Sequence, residues 1–436
     1  MHKPTLLMQR LLNFSISYPI AFLLAVLLWA NPIHAQYKKE LDAYLKADDI
    51  NEKATIGLKL WNPLMRSNLD SLKTISFELM LAGAETNNDY VIAVGKRGLG
   101  TCLNRTGEPA KGVSYLQQAL VYFEQAGNLQ VVTEILNEIG VGYFKMNRFK
   151  DAEAYYMRSL KAGAESPDPT DAFLAKINLG HLYIALKNYE KAASVVQFYK
   201  NESLKHGKLE AVSNAYALLG TIEQKRNNIP LAMEYFQKSA DFGQKCSSRS
   251  QMAHALNNLA IVHFELGETN KTMELFHQAL ELRIKTGNAK NISESYYNIG
   301  GLYFELGDHK KAAENYLLSK EVAERNDLKR ELLDALLAFA ELYKAMGKND
   351  LALATMEEYA HLQEEYYSQL SVDHSNSIEV MESVQQLEAE NDVRKREEEM
   401  AQMQQAQQGV WYVMYGLGAL TLIVMIVLIV FKKKIN

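Results

Sequence analysis

Between residues 92 and 370 the apolar and small positions of the chain recur with a spacing of 40. A small residue, usually after Ile or Leu, falls at Gly100, Gly140, Gly180, Gly220, Ala260, Gly300 and Ala340. Twelve residues later a second small position follows, at Gly112, Ala152, Ala192, Ala232, Thr272, Ala312 and Ala352. Four beyond that stands a bulkier one: Leu116, Tyr156, Val196, Phe236, Phe276, Tyr316 and Met356. Within a unit, Tyr296, Ile299, Gly300 and Tyr303 keep the i, i+3, i+4, i+7 spacing of one helix face. The pattern predicts two helices per unit, with the small residue letting the second approach the first. A left-handed stop is expected between them, at Gly107, Asn147, Lys187, Asn227, Gly267, Gly307 and Gly347. Gly and Asn suit that conformation; Lys187 does not, and predicts a strained or differently shaped turn. "AGNLQ", "HGKLE" and "TGNAK" supply a second set of turns between units.

The flanks read differently. Residues 36–91 hold "KATIGLKLWNPLMRS" and "LDSLKTISFELMLAG", a degenerate helical pair of the kind that caps a stack. Pro63 is expected to end the first of these helices. Residues 371–409 are charged and Gln-rich, and from Ser371 to Gln408 contain no Gly or Pro, which predicts one long helix. Val380, Val384 and Leu387 keep a 4–3 spacing, Asn391 and Arg394 break it, and Val393, Met400 and Met403 resume in another phase. A parallel coiled coil, making a homodimer, and a solvated monomeric stalk both fit this seam.

The units resemble the tetratricopeptide repeat family: "LNEIGVGYFKMNRFKDAEAYY" from Leu136, "LNNLAIVHFELGETNKTMELF" from Leu256 and "YYNIGGLYFELGDHKKAAENY" from Tyr296 carry the likeness. It covers about residues 92–365, as seven repeats. The family period is usually about 34, so helices or loops should be longer here, and the family's terminal proline is missing except near Pro167 and Pro169. The resemblance implies an all-α solenoid with a concave, peptide- or protein-binding surface. Longer repeats of this kind resemble those of peptide-binding regulators and motor light chains.

Composition adds the compartment. A basic start, an apolar run from Ile20 to Ala30 and a small residue at Ala35 predict a signal peptide over residues 1–35. Residues 410–431 carry no charge and are long enough to span a bilayer. Trp411, Tyr412 and Tyr415 sit at one end and Lys432, Lys433 and Lys434 at the other. Positive residues stay on the cytoplasmic side, so residues 432–436 form the expected cytoplasmic tail of a single-pass inner-membrane protein with its repeats in the periplasm. Only 8 prolines and 24 glycines among 436 residues agree with long helices. The net charge of −5 lacks the basic excess of nucleic-acid binders. Cys102 and Cys246 lie several repeats apart and are expected to be free.

No reading of the chain suggests an enzyme, metal or cofactor. "GKRGLG" at Gly95–Gly100 follows no strand and sits in a repeat helix, so it is packing and not a phosphate loop. The candidate site is the groove. Asn178, Asn258 and Asn298 stand two residues before the small position, with Asn137 and Asn257 beside them. An amide offers donor and acceptor together, so such a ladder suits the main chain of an extended peptide. It equally suits bonds between neighbouring helices that only stiffen the stack. Phe144, Phe264 and Phe304 recur four residues past the small position, as inter-repeat core or as apolar pockets between the rungs. The whole order resembles the exported sensory half of certain bacterial sensor histidine kinases and regulators, with no output domain in "KKKIN". That implies a sensor working through a cytoplasmic or membrane signalling partner. The alternatives are a passive envelope scaffold and a truncated receptor.

Overall fold

The computed structural model describes residues 38–366, apart from 68, 167 and 169–171, together with 382, 386–387, 389–391, 393–397 and 399–404. The expected signal peptide, membrane span and tail lie outside these residues. No helix among the described residues is long and apolar enough to cross a membrane. The chain is an all-α solenoid. An entry group of α1 (Lys38–Lys46), α2 (Ile50–Ser67) and α3 (Leu69–Thr86) precedes the repeats. Six helix pairs follow: α4 (Asp89–Thr106) with α5 (Pro109–Gln125), α6 (Leu129–Lys145) with α7 (Phe149–Glu165), and α8 (Phe173–Ala185) with α9 (Tyr189–Lys205). The next are α10 (Leu209–Lys225) with α11 (Ile229–Lys245), α12 (Arg249–Glu265) with α13 (Thr269–Thr286), and α14 (Ala289–Glu305) with α15 (His309–Arg325). In the seventh, α16 (Lys329–Ala345) pairs with a helix over 349–366.

The period of 40 has a simple construction. Most repeat helices have 17 residues, and most connections have three. The first connecting residue closes one helix, the second takes a left-handed conformation, and the third starts the next helix. At 146–148, the Asn147 N–H donates to the Phe144 carbonyl and the Arg148 N–H to the Tyr143 carbonyl. That is the paired bonding of a Schellman stop. The third residue often caps the next helix: Asn128, Asn188, Asn288 and Asp308 each accept from a backbone N–H three residues on. The extra length over the family norm is therefore helix, not loop.

All seven predicted stops have positive φ, and so do Gly127, Gly207, Ser247, Gly287 and Asp327 between units. Of the two forms expected at Lys187, a strained or a differently shaped turn, the structure has the strained one. The Lys187 φ is 55°, close to the 57° of Asn147 and the 62° of Asn227, and its N–H bonds the Ile184 carbonyl in the same way. The neighbouring helices impose the turn on a residue that disfavours it. Pro63 is a correction, because it lies inside α2. Trp61 and Leu64 on either side are buried, and their burial outweighs the lost backbone bond.

The small positions do what their spacing implied. A Cβ on Gly100, Gly140, Gly220 or Gly300 would come within 2.7, 2.5, 2.6 and 2.6 Å of Leu116, Tyr156, Phe236 and Tyr316. Each bulky residue of a second helix thus rests on the bare backbone of its first helix. Successive first helices also touch one another (α4 with α6, α6 with α8, α8 with α10, α10 with α12, α14 with α16), whereas successive second helices make no comparable contact. The first helices are therefore inside the curve. Burial forms a series of clusters along the array, such as Leu179, Val196 and Leu218, then Phe236, Leu259 and Phe276, as expected for a structure in which each repeat meets only its neighbours.

One buried cluster is charged. Arg97 is 2% exposed, lies 4.1 Å over the Trp61 ring and pairs with Glu134. Glu138, 3% exposed, has Arg105 3.6 Å away. Burial pushes the Glu138 carboxyl up, against the pull of Arg105 and Arg97. One of its oxygens has no hydrogen-bond partner. Both cysteines are free, as expected; burial pushes the Cys102 thiol up to about 12.

Candidate binding groove

The predicted asparagines fall on first helices and form pairs between repeats. Asn178 on α8 donates to the Asn137 side-chain oxygen on α6 at 2.9 Å. Asn298 on α14 donates to that of Asn257 on α12 at 3.2 Å. Each pair joins the residue two before a small position to the residue three before the preceding one. Asn137 and Asn257 are buried, while Asn178 and Asn298 are half-buried. Asn258 is half-buried and belongs to neither pair. The bonds stiffen the stack, but one amide-to-amide bond leaves each asparagine further hydrogen-bonding capacity.

Two adjoining cavities occupy the inner face of repeats five to seven. One, of about 240 Å³, is lined by Asn257, Arg283, Glu294, Tyr297, Asn298 and Asp334, among others. The second, of about 220 Å³, shares Tyr297 and Asn298 and adds Ile261, Phe264 and Phe276. The Asn257–Asn298 pair thus sits in a hollow, and the Asn137–Asn178 pair lines neither cavity. The three phenylalanines separate in the same manner. Phe144 packs at 5.6 Å on Phe149, and Phe304 at 5.9 Å on His309, both at the start of their own second helix. Phe264 is exposed and lines the second cavity.

Arg283 was not among the sequence candidates. Its register position, 23 after the small residue, is held elsewhere by Phe123, Gly163, Ser203, Gly243 and Ala323, all buried. A lone charge at a buried register position was the available signal. Arg283 is 6% exposed, and one nitrogen of its guanidinium donates to the Asn291 carbonyl at 2.9 Å and the Ser295 hydroxyl at 2.8 Å. Glu294 favours its charge against the cost of burial. Across the cavity, burial raises the Asp334 carboxyl, and Glu331 pairs with Lys290 at 3.2 Å. The hollow therefore has an amide floor, charges of both signs and an aromatic wall. Such a lining binds by hydrogen bonds and packing. A larger hollow of about 320 Å³, lined in part by Glu124, Leu136 and Arg158, contains none of the candidates. Among the described residues, no group of three or more His, Cys, Asp or Glu is placed to hold a metal ion.

The tetratricopeptide repeat family matches residues 251–325, and the fourth ARM domain of tetratricopeptide repeat protein 21 matches residues 135–283. The chain carries tetratricopeptide repeats. No curated protein matches it. Solved tetratricopeptide-type structures share the fold at low identity. The apo quorum sensor NprR from B. thuringiensis is 14% identical with a TM-score of 0.51, over 76% of this chain and 93% of its own. A Rap protein complexed with Competence and Sporulation Factor is 13% identical with a TM-score of 0.50, over 77% and 92%. A signal transduction ATPase with a tetratricopeptide repeat sensor, from Pyrococcus horikoshii, is 14% identical with a TM-score of 0.50, over 81% and 53%.

Proposed function

We propose that this chain is a membrane-anchored sensor whose tetratricopeptide array, outside the cytoplasm, captures a peptide or protein in its inner groove. The observation that carries this reading is the Asn257–Asn298 pair, which lines a cavity on the inner face beside Tyr297 and Arg283. An extended main chain laid there meets amides with unused hydrogen-bonding capacity, and Phe264 and Ile261 receive an apolar side chain. The fold likeness to a Rap protein in complex with a signalling factor and to a quorum sensor supports the same reading. The signal-peptide pattern, the uncharged stretch 410–431 and Lys432–Lys434 support the placement across the membrane. A signalling partner in or across the membrane then completes the pathway.

The test is selection of a displayed random peptide library on the full chain, followed by affinity measurement with the enriched peptides. Replacing both Asn257 and Asn298 with Ala should weaken binding about tenfold or more, the worth of one or two lost hydrogen bonds. Failure to enrich any peptide, or unchanged affinity in a variant that keeps its helical circular dichroism, overturns the proposal.

A further inference from the structure

The described residues between 386 and 404 are helical. Three of them touch the opposite end of the array. Leu387 packs on the cluster of Met80, Ala84, Ile92 and Leu99, with Phe77 and Leu81 beside it. One turn on, the Asn391 amide donates to the Ala84 carbonyl at 2.6 Å. A further turn on, the Lys395 ammonium is 3.6 Å from the Asp89 carboxylate. The three residues are spaced by four and lie along one helix face. They straddle the turn from α3 to α4. Ala84 lies in the last turn of α3, where carbonyls lack partners within their own helix, and its carbonyl accepts a 3.3 Å bond from the Asn87 N–H of the following turn. Asn391, which interrupts the apolar spacing of its segment, adds a second, shorter one. The residue that spoils a coiled-coil seam is the residue that caps the array.

We infer that Leu387, Asn391 and Lys395 form a latch that ties their helix to the entrance of the solenoid. The curvature of a helical array is set by small rotations between successive elements, so a helix seated across the turn from α3 to α4 holds the rotation there. The contacts are few: a half-buried leucine, one hydrogen bond and one exposed ion pair. A latch so lightly held opens and closes near balance. Val393 and Met400 lie about half a turn away on the same helix, Met403 about a third of a turn, and all three are exposed. The helix therefore has one face for its own array and another turned to solvent. An occupant that changes the spacing of the first helices shifts the latch by linkage. This coupling rests on the groove proposed above; the latch itself does not.

Amide hydrogen exchange in the full chain tests it. Asn391→Ala and Lys395→Asp both lie outside the array and leave its packing intact. Each should speed exchange across 386–404 by about five- to tenfold, the effect of losing one modest polar contact. Combining Lys395→Asp with Asp89→Lys should restore the slower rate, while Asp89→Lys alone should not. Equal exchange across 386–404 in the wild type and in both single C-terminal variants overturns the latch. So does a charge-reversed pair that exchanges no more slowly than Lys395→Asp alone. A groove without a ligand would leave all these rates unchanged, so the two proposals fail separately.

Discussion

Lys187 shows how a single residue is overruled by its setting. Six of the seven stops inside the repeats are Gly or Asn, and the seventh adopts the same left-handed backbone with a long side chain. A non-glycine residue there is disfavoured by about 1 kcal/mol, and replacement relieves it at some entropic cost. Lys187→Gly should therefore stabilise the array by roughly 0.5–1 kcal/mol, read as a higher urea midpoint with unchanged slope. Glu138 is a second case. Its burial raises the carboxyl in the folded state, so the folded form holds its proton more tightly than the unfolded chain. Stability from this residue is complete below the unfolded value and is lost as pH rises through the folded one. Relative to Glu138→Gln, the wild type should lose ground steadily as pH rises above about 4.5. Urea unfolding of both proteins across this range checks the slope, and parallel curves would show that the residue does not titrate in that window.

At the scale of the element, the helix pair is held by contact of a ring with bare backbone. An alanine in a helix interior normally improves on glycine by about 0.5–1 kcal/mol. At Gly220 the added carbon would sit 2.6 Å from the Phe236 ring. Gly220→Ala should instead destabilise by about 1–3 kcal/mol, as a lowered thermal midpoint in calorimetry. A neutral or stabilising result would mean that the pair relaxes cheaply. The helix pairs and their stops were legible because they depend on local chemistry: Gly and Asn for left-handed turns, and a 3.6-residue apolar face. Pro63 was misread because the gain from burying Trp61 and Leu64 is not a local quantity.

For the whole molecule, the array presents one surface inside its curve, and Leu387, Asn391 and Lys395 touch its entrance. Which asparagines matter depends on that curvature. Asn137 and Asn178 pair as Asn257 and Asn298 do, yet only the second pair lines a described cavity. Sequence register treated the two alike. The difference comes from what stands around them, Tyr297 and Arg283 above all, contributed by α14 and α13. The contact of Asn391 with Ala84 joins residues 307 apart, and no periodicity announces it.

The sequence by itself determined the repeat, its length of 40, the paired helices, the turns and the small-against-bulky packing within each pair. These depend on residues close along the chain, where spacing maps directly onto a helix face. Tertiary structure alone decided which rung opens into a hollow, that a lone arginine lines it, and that Leu387, Asn391 and Lys395 meet the entrance. Those outcomes arise from the summed rotation of successive repeats, a geometric quantity to which every interface contributes and which no single motif encodes.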